Sequence, residues 1–252
     1  MSNSLKGMKI LVTGASRGIG AAIAKKLVAD GATVAIHYNK NANHANQVKK
    51  ELGSRAHLFQ ADLCEPMEAE SLFYEALQSF KSVDVVINNA AIAIESDPDT
   101  DDLKWMDHWL KTMDVNLNSV ALLCKKAIAH FKETGGGRII NVASRAAFRG
   151  DTREYMAYAA SKAGVVALTR SIARAYGKDN IKAFIVAPGF VKTDMAQDFI
   201  DKYGEDYLSQ DLALPNLPLP EDIAPLFSFL ASGQADHSTG GTFDFNSGSY
   251  VH

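Results

Sequence analysis

Cysteine is scarce: the chain of 252 residues carries two, Cys64 and Cys124. Two thiols cannot build a disulfide framework, so apolar burial must hold the fold. Each reads as a small buried hydrophobe rather than a reactive thiol. Long apolar runs are missing too; no stretch reaches the ~18 residues that a membrane-spanning helix needs. Charge of one sign is also lacking, with 26 basic against 29 acidic residues and no long run of either. That removes the electrostatic footprint of a nucleic-acid binder. Met1 to Lys9 is polar with one leucine and has no signal-peptide core, so a cytoplasmic protein is expected. The histidines, at 37, 44, 57, 108, 130, 237 and 252, show no paired ligand spacing, and no metal site is expected. No internal repeat and no flexible linker is visible.

What is present is a rhythm. Short apolar runs at Lys9–Val12, Thr33–Ile36, Ala56–Phe59, Val83–Ile87, Arg138–Val142, Lys182–Val186 and Thr242–Phe245 read as strands. Their continuous apolar character suits a sheet buried on both faces. Helical patterns lie between them at Ala21–Ala29, Met67–Phe80, Leu103–Lys132 (broken near Asn116) and Tyr155–Tyr176. The alternation predicts an α/β fold: one doubly wound Rossmann-type domain over residues 1–252, with a seven-stranded, mostly parallel sheet and helices on both faces. The polar, then proline-rich stretch 194–220 reads as a partly helical lid.

The first strand runs into TGASRGIG, residues 13 to 20. Gly14, Gly18 and Gly20 let the backbone turn tightly and approach a pyrophosphate. Ser16, Arg17 and Ile19 complete the turn, and the helix that follows offers free N–H groups and a positive dipole end to an anion. About 20 residues later, where NAD enzymes of this topology place an acidic residue for the ribose, the chain has His37, Tyr38, Asn39 and Lys40. No carboxylate repels a 2′-phosphate there. Arg17 and Lys40 can approach it, which favours NADP(H) with NAD(H) as the alternative; the competing reading is that both are solvated charges.

Tyr158 and Lys162 stand four apart in YAASK, on one face of a helix. A free phenol titrates near ~10, and bringing it to about 7 takes about 4 kcal/mol of differential interaction, which a nearby buried cation can supply. Tyr155 has Ala159 at i+4, so packing is its expected role.

Together these motifs resemble the short-chain dehydrogenases/reductases, in particular the 3-oxoacyl-carrier-protein-reductase-like branch. The resemblance covers nearly the whole chain: TGASRGIG, Asp62-Leu63, NNAA at 88–91, DVNLNS around Asn116, NVAS ending at Ser144, YAASK, PGFVKTDM at 188–195, PEDIA at 220–224 and TGGTFDFN at 239–246. It implies that Tyr158 is the general acid or base. Lys162 lowers its pKa and binds the nicotinamide ribose, and Ser144 positions the substrate oxygen. Asn116 interrupts its helix and holds a water in a proton relay with Lys162. By the same resemblance Asp62 and Leu63 flank the adenine, Asn89 and Ala90 line the cofactor, and Pro188, Gly189, Val191 and Thr193 border the nicotinamide end. The implied activity is reduction of a ketone, such as a 3-oxoacyl thioester, or the reverse oxidation. A sugar or cyclic-alcohol dehydrogenase is the alternative enzyme, and a catalytically silent dinucleotide-binding scaffold the alternative of another class. A small-molecule partner and a homo-oligomer, tetramer or dimer, are also implied.

Some features depart from the family pattern. Ser144 and Tyr158 are 14 residues apart, one more than is common, and the extra residue is assigned to the loop Arg149–Glu154. Arg145 and Arg149 beside Ser144 either recognise an anionic substrate or pair with Asp151 and Glu154. The acidic run Asp97–Asp102 reads as a solvated loop.

Overall fold

The computed structural model describes residues 4–204 and 211–251. Among these, β1 (Lys9–Val12), β2 (Thr33–Tyr38), β3 (Ala56–Gln60), β4 (Val85–Asn88), β5 (Gly137–Val142), β6 (Ile181–Pro188) and β7 (Thr242–Phe245) form one sheet. The order is β3-β2-β1-β4-β5-β6-β7 and every pairing is parallel, so no antiparallel strand qualifies the expectation. β4 starts two residues later than the apolar run, because the Val83 N–H donates to His130 Nε2 (3.2 Å) instead of to a neighbouring strand.

The helices are α1 (Gly18–Ala29), α2 (Ala42–Leu52), α3 (Pro66–Phe80), α4 (Asp102–Met113), α5 (Ser119–Thr134), the short α6 (Ala146–Arg149), α7 (Met156–Tyr176), α8 (Asp194–Tyr203) and α9 (Pro220–Ala231). Strand pleating sends alternate residues to opposite faces. Ile10, Val12, Ile140 and Phe184 join Ile23, Leu27 and Phe227 in the layer under α1 and α9. Leu11, Ile139 and Ala183 join Phe73, Phe131 and Val165 under α3, α5 and α7. The sequence rhythm did not show α2, since only Ala45 and Val48 of its residues are buried; the Asn41 side chain fixes its start by accepting from His44 N. The expected break near Asn116 is a π turn at Asp114–Asn118 between α4 and α5. A 3₁₀ turn at Arg153–Tyr155 precedes α7.

Of the lid expected at 194–220, α8 is the helical part and residues 205–210 lie outside the described residues. The returning segment is tied down by Lys192 N to Pro218 O (2.9 Å) and Ala213 N to Ser247 O (2.8 Å). β1, β2 and β3 step one way across the sheet, whereas β4 starts on the other side of β1. The connections after β1 and β4 therefore diverge and open a crevice at the strands' carboxyl ends, the usual ligand position in such sheets.

Candidate active site

The crevice is a cavity of about 590 Å³. Gly14, Ser16, Arg17, Gly18, Ile19, Gly20, Tyr38, Asn39, Asp62, Leu63, Asn89, Ala90, Ser144, Tyr158, Lys162, Pro188, Gly189, Val191 and Thr193 all line it. Asn116 is the one predicted site residue outside that lining.

The glycine turn is built from close backbone approaches. Gly14 and Gly18 have φ of +63° and +52°, which L side chains rarely adopt. A Cβ on Gly20 would lie 2.2 Å from the Gly14 carbonyl oxygen. Thr13, which sequence reasoning overlooked, staples the turn to the end of β4: its Oγ1 accepts from Asn89 N and Ala90 N, each at 3.0 Å. Asn89 Nδ2 donates back to the carbonyls of Thr13 (2.9 Å) and Gly14 (3.1 Å). Asn89 thus shapes the turn as well as lining the cavity. Among the described residues no side chain caps α1, so its first N–H groups face the crevice uncapped.

Four tethers fix the borders of the crevice. Thr193 caps α8 through Ala196 N (3.4 Å) and stands against Gly18. Gly189 N donates to Phe245 O (3.0 Å), and Pro188 O accepts from Arg145 N (2.9 Å). Cys64 N donates to Asp62 Oδ1 (3.0 Å), holding the Asp62-Leu63 corner. Arg17 Nη1 pairs with Asp194 Oδ2 at 3.0 Å across the mouth, with both side chains exposed.

At the other end, Ser144 leaves β5 and Tyr158 and Lys162 sit one turn apart on α7. The Ser144 hydroxyl stands close enough to the Tyr158 hydroxyl to act on its proton, and Ser144 Oγ accepts from Ala146 N (3.1 Å). The longer Ser–Tyr spacing is absorbed by α6, Gly150 at φ +80° and the 3₁₀ turn. Lys162 Nζ donates to the Val142 carbonyl (2.8 Å) and lies 5.7 Å from the Tyr158 ring centre. Burial pulls the lysine down to about 8. Burial pushes the Tyr158 hydroxyl up to about 12, although Ser144 beside it works the other way. Desolvation is the largest influence on the phenol here, and the lowering expected from Lys162 is not among the others.

Asn116 interrupts the helix, as expected. It is fully buried in the π turn, with its side chain engaged on both sides: Oδ1 accepts from Ile92 N (2.9 Å), and Nδ2 donates to Ile92 O (2.8 Å) and Ser161 Oγ (3.2 Å). The amide therefore anchors the loop after β4 to α7. Behind it runs a buried polar row. Asn88 Nδ2 donates to Asn141 Oδ1, Asn141 Nδ2 donates to Thr169 Oγ1 (both 2.8 Å), and Thr169 Oγ1 donates to Val165 O (2.6 Å).

The arginines beside Ser144 act on Asp151, as one of the two readings expected, and also meet a partner far along the chain. Asp211 Oδ2 lies 2.8 Å from Arg149 Nη1 and 3.8 Å from Arg145 Nη1. The Arg145 guanidinium also rests over the Phe190 ring at 4.9 Å. The acidic run is more than a solvated loop: Arg153 binds Asp97 (2.7 Å) and Asp99 (2.6 Å), and Asp101 caps α4. Tyr155 is buried, with its ring 5.0 Å from that of Phe199. Cys124 is buried, and burial pushes its thiol up to about 12.

No helix among the described residues is long and apolar enough to cross a membrane. A family model described as enoyl-(acyl carrier protein) reductase matches residues 14–249. A 3β-hydroxysteroid dehydrogenase of Eggerthella lenta is 34% identical over 98% of this chain and 95% of its own. A 3-oxoacyl-(acyl-carrier-protein) reductase of Salmonella typhimurium is 35% identical over 98% of this chain and 99% of its own. Among solved structures, a short-chain dehydrogenase of Burkholderia cenocepacia in complex with NADP superposes with a TM-score of 0.91 at 34% identity, covering 98% of this chain and 100% of that one.

Proposed function

The chain belongs to the short-chain dehydrogenase/reductase family, and we propose that it is an NADP(H)-dependent oxidoreductase that reduces the ketone of a small molecule, or oxidises the corresponding alcohol. The observation that carries this is the meeting, in one cavity, of the Ser144 and Tyr158 hydroxyls, the Lys162 ammonium and an uncapped helix start behind a glycine turn. The turn fits a dinucleotide: Gly20 and Gly14 leave no room for a Cβ, and the backbone comes close where a diphosphate would lie. The solved NADP and NADPH complexes of similar chains support the same cofactor.

When bound, the nicotinamide supplies the hydride. The protein's own groups handle the oxygen and the proton. Ser144 holds the substrate oxygen. Tyr158, which keeps its proton at neutral pH, donates it to the developing alkoxide. Lys162 stands below as the cation that favours the phenolate left behind and as a donor to the ribose. Asn116, which the family pattern makes the holder of a relay water beside Lys162, has its side-chain amide engaged by Ile92 and Ser161. We read residues 1–252 as one dinucleotide-binding domain and, from the family, as a homo-oligomer. Leu103, Met106 and Leu110 exposed on α4 support a self-association face there.

A 3-oxoacyl thioester is one substrate class that the curated relatives suggest. The clustered rings of Tyr155, Phe190 and Phe199 support a second, a flat cyclic ketone or alcohol. Oxidation of NADPH with a panel of ketones, comparing wild type with Tyr158→Phe, tests the assignment. The variant should lose about 10²- to 10⁴-fold in turnover while still binding NADPH; undiminished turnover would overturn the role of Tyr158.

A further inference from the structure

Directly beneath the glycine turn lies His37, on β2 and only 2% exposed. Its Nδ1 is 3.0 Å from Gly14 N, and its Nε2 is 3.0 Å from Ala61 O. A main-chain N–H can only donate and a carbonyl can only accept. The Nδ1 must therefore carry the lone pair and the Nε2 the proton, so the imidazole is neutral with a fixed tautomer. The main chain of the same residue adds a third bond, Ala15 N to His37 O at 2.9 Å. One residue thus holds two consecutive N–H groups of the turn from below, and its ring reaches across to the residue before Asp62-Leu63. Phe, Leu or Val at this position would leave Gly14 N–H and Ala61 O without these partners in a buried place.

We propose that His37 is a positioning residue for the dinucleotide, a cross-link in which the neutral ring fixes the diphosphate turn at Gly14 to the adenine-side corner at Ala61. The inference rests on the NADP(H) reading of the cleft. Protonation of Nδ1 would set two N–H donors against each other at Gly14 and release the turn. Burial holds the imidazole below its ordinary range, while the Ala61 hydrogen bond and the charge of Asp62 act in the opposite sense. Asp62, after β3, is the charged side chain whose field acts on the ring; Arg17 at the start of α1 and Lys40 after β2 belong to the same cavity wall. The cross-link is therefore intact at neutral pH and lost on acidification below the ordinary histidine range, about 6.5.

The test is NADPH affinity, read by fluorescence titration between about pH 5.5 and 8, for wild type, His37→Asn and His37→Leu. An Asn amide oxygen can accept from Gly14 N in the place of Nδ1, and it does not titrate. At about pH 8 the Asn variant should stay within about threefold of wild type, and the Leu variant should weaken at least about tenfold. On acidification wild type should lose at least about threefold more affinity than the Asn variant. The 2′-phosphate of NADPH itself titrates near ~6, but equally for both proteins, so it cancels in their ratio. Leu binding as tightly as wild type, Asn weakened as much as Leu, or a ratio flat with pH would each overturn the proposal. If the Leu variant fails to fold, the ratio of wild type to Asn still decides. Failure of wild type itself to bind NADPH would instead defeat the cofactor reading on which the inference rests.

Discussion

Lys162 should cost this protein stability, and removing it should show how much. The side chain is 2% exposed and its pKa is lowered from 10.5 to about 8 by burial. At pH 7 the ammonium is charged in both the folded and the unfolded chain. That gap corresponds to about 3 kcal/mol against the folded state. Lys162→Met keeps the length of the side chain and removes the charge. It also leaves the Val142 carbonyl without its donor at 2.8 Å, a loss of about 1 kcal/mol. The variant should therefore be more stable by about 2 kcal/mol at pH 7, or about 5 °C in Tm for a chain of this size, while losing activity. Urea denaturation of the cofactor-free proteins across pH measures it. Between about pH 8 and 10.5 the unfolded wild type binds a proton that the folded form does not, so wild-type stability rises relative to the variant as pH rises. The advantage of the variant should be full below about 8, and by 10.5 it should be reversed, with the variant about 1 kcal/mol the less stable. A Met variant no more stable than wild type at pH 7, or a difference that does not change over that window, would refute the reasoning.

Three other outcomes are expected. Gly20→Ala places a Cβ 2.2 Å from the Gly14 carbonyl oxygen and 2.6 Å from Asn89 Nδ2, so NADPH binding should fall by at least about tenfold in a fluorescence titration. Arg17→Ser should weaken NADPH about tenfold, about 1.4 kcal/mol, and leave NADH affinity unchanged; equal losses for both would mean that Arg17 does not meet the 2′-phosphate. Arg138→Ala breaks a two-pronged, largely buried pair with Asp236 (2.8 and 2.7 Å) that ties β5 to the turn before β7. It should cost about 1.5–3 kcal/mol at pH 7. Burial alone would raise the Asp236 carboxyl, but Arg138 and Lys182 bring it below 3.8, so the penalty is present above that pH and disappears as pH falls through the folded value.

The parts legible in the sequence were those written locally. Apolar runs gave all seven described strands to within a few residues: the central strands are buried on both faces and leave an unbroken signature, while the edge strand β7 (TFDF) keeps an exposed Asp244. TGASRGIG and YAASK carry their geometry in their own spacing. What the sequence did not show depends on partners distant along the chain. Nothing near Arg149 announces Asp211 as its partner. His37 looked like one more residue at a strand end, since its task is set by two backbone atoms at positions 14 and 61. Asn116 was found by its motif, but which of its atoms remain for a water depends on Ile92 and Ser161. Helix α2 was missed because two buried residues make too faint a stripe.

The row Asn88–Asn141–Thr169 bears on how sharply the reacting groups can be placed. Hydrocarbon packing tolerates small slides between neighbouring strands, since one methyl contact serves nearly as well as another. Amides tolerate far less: a shift of a single position would turn each inward side chain to the opposite face and strand its polar atoms in a dry layer. Asn88 immediately precedes the loop that Asn89 and Thr13 hold, Asn141 stands three residues before Ser144, and Thr169 is on the helix of Tyr158. The spacing between Tyr158, Ser144 and the glycine turn is thus set from the interior, like the teeth of a gear behind a dial. The surrounding loops are left free to vary with whatever substrate they must admit.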